Sequence, residues 1–179
     1  MSSKVMSLKR RIKNYAKSNS IKYVKNQHVL NGETYSRKFG RAVCMEIYEI
    51  SIMNLNTQEA QVFPIEVDEA EESEYIVIKS VFLGQKISVS DYSYLPAYQK
   101  FRDKLHEFGY GIKCNGSRIN AVQSGMMGAT DKVYLVELGK QALMKDIAYI
   151  WDFADIEEFP NTEQQKEFFE RWTKSLVRE

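Results

Sequence analysis

The period of the hydrophobic positions changes several times along the chain, and each change marks an element. Val5, Leu8, Ile12 and Tyr15 recur at helical spacing and form one narrow apolar stripe. Ser18-Asn19-Ser20 breaks that pattern, and Ile21 to Leu30 reads as a second helix closed at Gly32. Two short basic helices around a tight turn suggest a helix-turn-helix, although the small and apolar residues of its turn and recognition helix are not clearly placed. From Phe39 to Leu55 two periods overlap. Val43, Met45 and Ile47 alternate as in a strand, while Phe39, Val43, Ile47 and Ile50 fit a helix. The β-branched content favours a strand from about 42 to 53. Gln61 to Val67 reads as an extended piece around Pro64, the acidic run Asp68 to Glu74 as a solvated loop, and Tyr75 to Phe82 as a strand.

A helix follows over about 95–108. Pro96 suits its first turn, Leu95, Tyr98, Phe101, Leu105 and Phe108 keep helical spacing, and Gly109 closes it. Next come a short strand at 110–114, a glycine-containing loop, a strand from Lys132 to Leu138, and a short helix or mixed segment from Ala142 to Trp151. Thr162 with Gln165 reads as a capping box behind Pro160, with Phe168 or Phe169, Trp172 and Leu176 as the inward stripe of a last helix. Helices and strands alternate irregularly, which predicts an α+β fold: a mixed sheet with flanking helices and a basic helical N-terminal arm. The arm is residues 1–41. A compact domain is expected over 42–179, with a charge-segregated part at 42–74 and a core module at 75–179.

A chain of 179 residues buries roughly 70% of its unfolded surface and needs no metal or disulfide to fold. Its net charge of +1 argues, as a total, against a polyanionic partner. Resolved along the chain, the total is a cancellation. Residues 1–41 hold eleven Lys or Arg against Glu33 alone, residues 42–74 hold nine acids and no base, and residues 75–179 hold fourteen of each. The exclusion therefore lapses for the arm, where Lys9, Arg10, Arg11, Lys13 and Lys17 are candidate contacts to nucleic-acid phosphates. The plainer reading is a solvated helix whose lysines face the acidic segment.

Other chemistry is scarce. Cys44 and Cys114 lie seventy residues apart, and His28 and His106 belong to no metal or triad motif. His106 is expected on the exposed face of its helix. The longest apolar run is Ile147 to Trp151, far short of a membrane span, and Lys9-Arg10-Arg11 stands where a signal peptide is apolar. The expectation is a cytoplasmic protein with reduced thiols, no cofactor, no metal and no membrane partner.

Two constellations are candidates for binding. Five of the nine glycines fall between Gly109 and Gly128. Glycine lets backbone N–H groups approach a ligand, and successive amides can form an anion-binding nest. Lys113, Asn115, Gly116, Ser117, Arg118, Asn120, Ser124 and Gly125 are the candidate ligand- or partner-binding residues of this loop, suited to a phosphate, a carboxylate or a nucleobase edge. No dinucleotide fingerprint or P-loop is present, and the bland alternative is a connection that uses glycine for its turns. Asp91, Tyr92, Tyr94 and Tyr98 form a candidate aromatic surface, with half-buried packing on a sheet as its alternative. Asp91 and Arg118 are also a candidate acid–electrophile pair. No nucleophile, base and orienting group can be assembled.

The pieces Tyr94-Leu-Pro, Phe108-Gly, Asn115-Gly-Ser-Arg-Ile-Asn, Ser124-Gly-Met, Val133-Tyr-Leu, Leu138-Gly-Lys, and Ile150 with Asp152 resemble a pattern of small, uncharacterised bacterial proteins. The resemblance implies no activity. It implies a self-standing bacterial module over 75–179, with Gly116, Ser117, Arg118, Asn120, Ser124 and Gly125 as its least generic part. The functional expectation is a non-enzymatic, immunity-like interaction protein that binds another macromolecule, with a toxin-neutralising or defence-related role. The alternatives are a small-ligand or nucleotide-binding domain, in the manner of a transferase, built on the 113–130 loop, and nucleic-acid binding through the arm.

Overall fold

Alternation of buried and exposed positions organises the first two strands. In the computed structural model, which describes residues 45–69 and 75–177, strands β1 (Met45–Asn54) and β2 (Ala60–Glu69) pair antiparallel, with Tyr48 opposite Ile65 and Ile50 opposite Phe63. The basic arm, its helix-turn-helix reading and Cys44 lie outside the described residues. Tyr48, Ile50 and Ile52 point inward, whereas Ile47 is 45% exposed. A helix would have put Ile47 and Ile50 on one face, so the strand period wins here.

Strands β3 (Ile76–Phe82) and β4 (Gln85–Asp91) form a second hairpin, and β3 pairs with β2 through Val67 opposite Ile78. Helix α1 (Tyr94–Glu107) returns the chain to β5 (Tyr110–Ile112), which pairs with the far end of β1. The sheet order is β4-β3-β2-β1-β5. Every described pairing is antiparallel, so the expected mixed sheet is corrected. Two-residue and other short reversals join the hairpin strands, and only a long crossover makes parallel neighbours. β1 and β2 occupy the middle of this sheet, between the β3–β4 hairpin and β5.

A smaller sheet, order β6-β7-β8, is built from β6 (Ala121–Val122), β7 (Lys132–Leu135) and β8 (Ile147–Tyr149). The segment expected as a short helix or mixed piece is a single 3-10 turn at Met144–Asp146 running into β8. The core joins both sheets. Ile50, Ile65, Val67 and Ile78 pack with Tyr98, Phe101 and Leu105 of α1 and with Val133, Ile150 and Trp151 beside the small sheet. Trp151 is gripped between two tyrosine rings, 5.1 Å from Tyr48 and 5.2 Å from Tyr98.

Helix α2 (Thr162–Ser175) begins one residue before the expected box. Asn161 is its cap and exchanges hydrogen bonds with Gln164, each at the other's backbone N–H. Thr162 and Gln165 are drawn instead into a buried contact with α1, and Gln165 is the one buried residue of the helix. Phe168 and Trp172 are half-buried, while Phe169 faces solvent.

Candidate functional site

The glycine-containing loop is a packed connector. Asn115–Ser117 form a 3-10 turn whose amides all have partners. Asn115 N–H donates to Asp152 O, Gly116 to Ile150 O, Ser117 to Cys114 O and Arg118 to Asn115 O, at 2.9–3.1 Å. No amide of residues 115–118 is left to donate to an anion, so a nest does not form at this turn. Gly116 is required for packing: a Cβ on it would sit 2.8 Å from both Ile150 and the Tyr98 ring.

The side chains of the loop are similarly engaged. Lys113 is buried, pairs with Asp155 at 2.9 Å and lies 6.0 Å from the Phe153 ring centroid. Ser117 is fully buried, its hydroxyl 2.6 Å from that of Tyr98. Arg118 Nε donates to Asn115 Oδ1, and Asn115 Nδ2 donates to Tyr149 O. Asn120 Nδ2 donates to Val136 O while its own carbonyl accepts from Val136 N–H. Ser124 opens a second 3-10 turn, Gly125–Met127, and Gly125 is exposed beside Met126. Lys113, Asn115, Gly116, Ser117, Arg118 and Asn120 are thus engaged with the protein's own carbonyls, side chains and rings, whereas Gly125 faces open space.

The aromatic surface is split. Tyr94 and Tyr98 are buried, which corrects their assignment to a surface, and burial pushes the Tyr98 phenol well above its ordinary value. Tyr92 alone of the three is exposed, stacked on Tyr75. Asp91 pairs with Lys100 at 2.9 Å, so the acid–electrophile pairing of Asp91 with Arg118 is not what the fold builds.

Sequence reasoning missed a buried polar hub. Arg102 is fully buried. Its guanidinium donates twice to Asp103 Oδ1, once to Gln165 Oε1 at 2.6 Å and once to Thr162 Oγ1 at 3.0 Å. Gln165 also accepts from Gln99 and donates through Nε2 to the carbonyls of Gly116 and Arg118. One glutamine therefore ties α2 to α1 and to the 3-10 turn. The signal was available: Arg102 stands four residues after Tyr98, on the inward stripe of α1. His106, expected on an exposed face, is half-buried with Nε2 enclosed and unpartnered, and burial, then the Arg102 charge, hold its pKa below the ordinary value.

Carboxylates gather where β1 meets the small sheet. Asp131 is held above the usual carboxylate range mainly by burial, with the charges of Glu46 and Asp152 adding to the shift. Asp152 is raised by burial. Tyr48 donates its hydroxyl to Glu46, and the Trp151 indole N–H is buried without a partner. Among the described residues no group of three or more His, Cys, Asp or Glu is arranged to hold a metal ion, and no helix is long and apolar enough to cross a membrane. An open cleft of about 340 Å³ lined by Asn54, Glu59, Ala60, Gln61 and Tyr110 lies at the β1–β2 turn.

The most conspicuous surface is apolar. The 137–146 loop presents Leu138, Leu143 and Met144, with Leu138 51% and Met144 77% exposed. It is tied to α2 by Trp172 Nε1–H donating to Lys140 O at 2.9 Å and by Gly139 N–H donating to Ser175 Oγ at 2.8 Å. Phe169 on the helix and Val177 after it are exposed as well. Sequence periodicity placed Phe168 or Phe169 inward and gave no sign of this loop. No family model matches the chain and no curated protein matches it, so the resemblance over 94–155 stands on its sequence pieces alone.

Proposed function

We propose that this chain is a non-enzymatic binding protein whose partner is another protein, engaged through the 137–146 loop and helix α2. One observation carries the reading: five large apolar side chains are exposed, Leu138, Leu143 and Met144 on a loop, Phe169 on the helix that two hydrogen bonds tie to it, and Val177 just after that helix. Apolar side chains held in place by their backbone lose little freedom on binding, which favours association. Methionine and aromatic residues are the types enriched where protein partners meet.

The small-ligand reading finds less support, since the amides and side chains of the 115–118 turn are spent on internal partners. The nucleic-acid reading rests on residues 1–41. Neutralisation of a toxin, or another defence-related role, is the specific form of protein binding proposed here. A photo-cross-linking residue at Met144 of the full chain, used in the native host, tests it. The expected result is one dominant protein adduct, lost on Leu143→Glu, whose captured partner is harmful when expressed without this chain. No adduct, or an adduct indifferent to Leu143→Glu, contradicts it.

A further inference from the structure

Away from that surface, the open end of the β3–β4 hairpin carries two tyrosines. Tyr75 immediately precedes β3 and Tyr92 immediately follows β4, and the pairing of Ile76 with Asp91 sets them side by side. Their ring centroids are 4.1 Å apart with planes at 31°, and the Tyr75 hydroxyl donates to the Tyr92 hydroxyl at 2.5 Å. With the hydroxyls adjacent, the ortho carbons that flank them lie at the same end of the ring pair. Tyr92 is 64% exposed, so a dissolved oxidant reaches it.

We propose that Tyr75 and Tyr92 are a site of oxidative cross-linking, joined ring to ring as dityrosine by a peroxide-driven one-electron oxidant. Each phenol gives up one electron and its hydroxyl proton, leaving two phenoxyl radicals with unpaired density on the ortho carbons. One carbon–carbon bond forms between two ortho carbons. Each of those carbons then loses its hydrogen as a proton, and each oxygen regains a proton, restoring both phenols. The pair has lost two hydrogen atoms, and one hydrogen peroxide has taken up two electrons and two protons to become two waters. The Tyr75 phenol is held above its ordinary pKa first by its hydrogen bond to Tyr92, so it reacts from the neutral form, and each hydroxyl proton passes to water as the electron leaves. The new bond staples the start of β3 to the residues just before α1, and constrains the unfolded chain as a disulfide does. Tyr149, also exposed, lies against the Lys132 ammonium and not a second phenol in this arrangement.

The test treats the full chain with a haem peroxidase and hydrogen peroxide. The expected product is a monomer lighter by two hydrogen atoms, with dityrosine fluorescence and one cross-linked peptide pair containing Tyr75 and Tyr92. Tyr75→Phe and Tyr92→Phe, each checked for an unchanged melting curve, lower the yield at least tenfold, whereas Tyr149→Phe leaves it unchanged, and unfolding in urea abolishes the selectivity. No monomeric cross-link, cross-links mapping to other tyrosines or only between chains, or an equal yield in folded Tyr92→Phe, overturns the proposal.

Discussion

Arg102 shows how much one buried side chain holds together. It has four hydrogen bonds to Asp103, Thr162 and Gln165, and through Gln165 reaches the carbonyls of the 3-10 turn. Arg102→Ala removes those donors and leaves Gln165 and Asp103 underbonded beside a cavity. The expected loss is about 2–4 kcal/mol in urea unfolding, from the cavity and the lost bonds to Gln165 and Thr162, since Asp103 is partly exposed and water can solvate it. Asp152 gives the opposite sign. Burial raises its folded pKa above the unfolded value, so the charged form destabilises the fold at neutral pH. That cost fades as pH falls through the folded pKa and is gone below the ordinary carboxylate value of about 4. Asp152→Asn is therefore more stable than the parent at pH 7, and the difference closes as pH falls. Unfolding curves across that range check it; a variant less stable at pH 7 counts against the account. Neither role is visible in sequence as chemistry, because both depend on which carbonyls and carboxylates the fold brings near.

Among elements, those with a strong period were legible and those without one were not. The α1 stripe and the Tyr75–Phe82 run each read directly, whereas β1 carried two overlapping periods and only its β-branched content pointed to a strand. Strand β4 escaped notice because Gln85-Lys-Ile-Ser-Val-Ser-Asp is an edge strand, with Ile87 and Val89 facing the core among polar residues. Its best sequence signal was Gly84 in the turn, paired with Leu83, which is a poor residue for the task. Both have positive φ, 49° at Leu83 and 77° at Gly84, the two-residue reversal that suits hairpin twist. A leucine in that conformation is strained, and it is exposed. Leu83→Asn supplies a residue that tolerates it and should raise stability by about 0.5–1 kcal/mol, read as a higher melting temperature. The α2 cap was misplaced by one residue for a different reason: Thr162 and Gln165 satisfy the local capping pattern, but the hub takes their side chains and Asn161 caps instead.

For the molecule as a whole, the charge pattern survives folding as an asymmetry. The described residues carry nineteen acids and thirteen bases, against eleven bases and one acid in residues 1–44. The α+β class was legible. The arrangement of the sheet was not, since β1 and β2 look in sequence like a separate acidic segment and become the centre of the core. Two uses were open for the glycines of the candidate loop, a ligand's approach or a tight connection, and what approaches Gly116 is Tyr98 and Ile150. The apolar surface was illegible because exposure of Leu138 and Met144 follows from where the loop docks, not from any pattern in its residues. The central claim is that this surface binds a protein. Affinity of the captured partner for the full chain, for Leu138→Glu with Met144→Glu, and for Arg118→Ala tests it most directly. The account predicts at least tenfold weaker binding in the double variant, about 1.4 kcal/mol or more, at an unchanged melting temperature, with Arg118→Ala near the parent value. Full affinity in the double variant, or loss confined to Arg118→Ala, contradicts it.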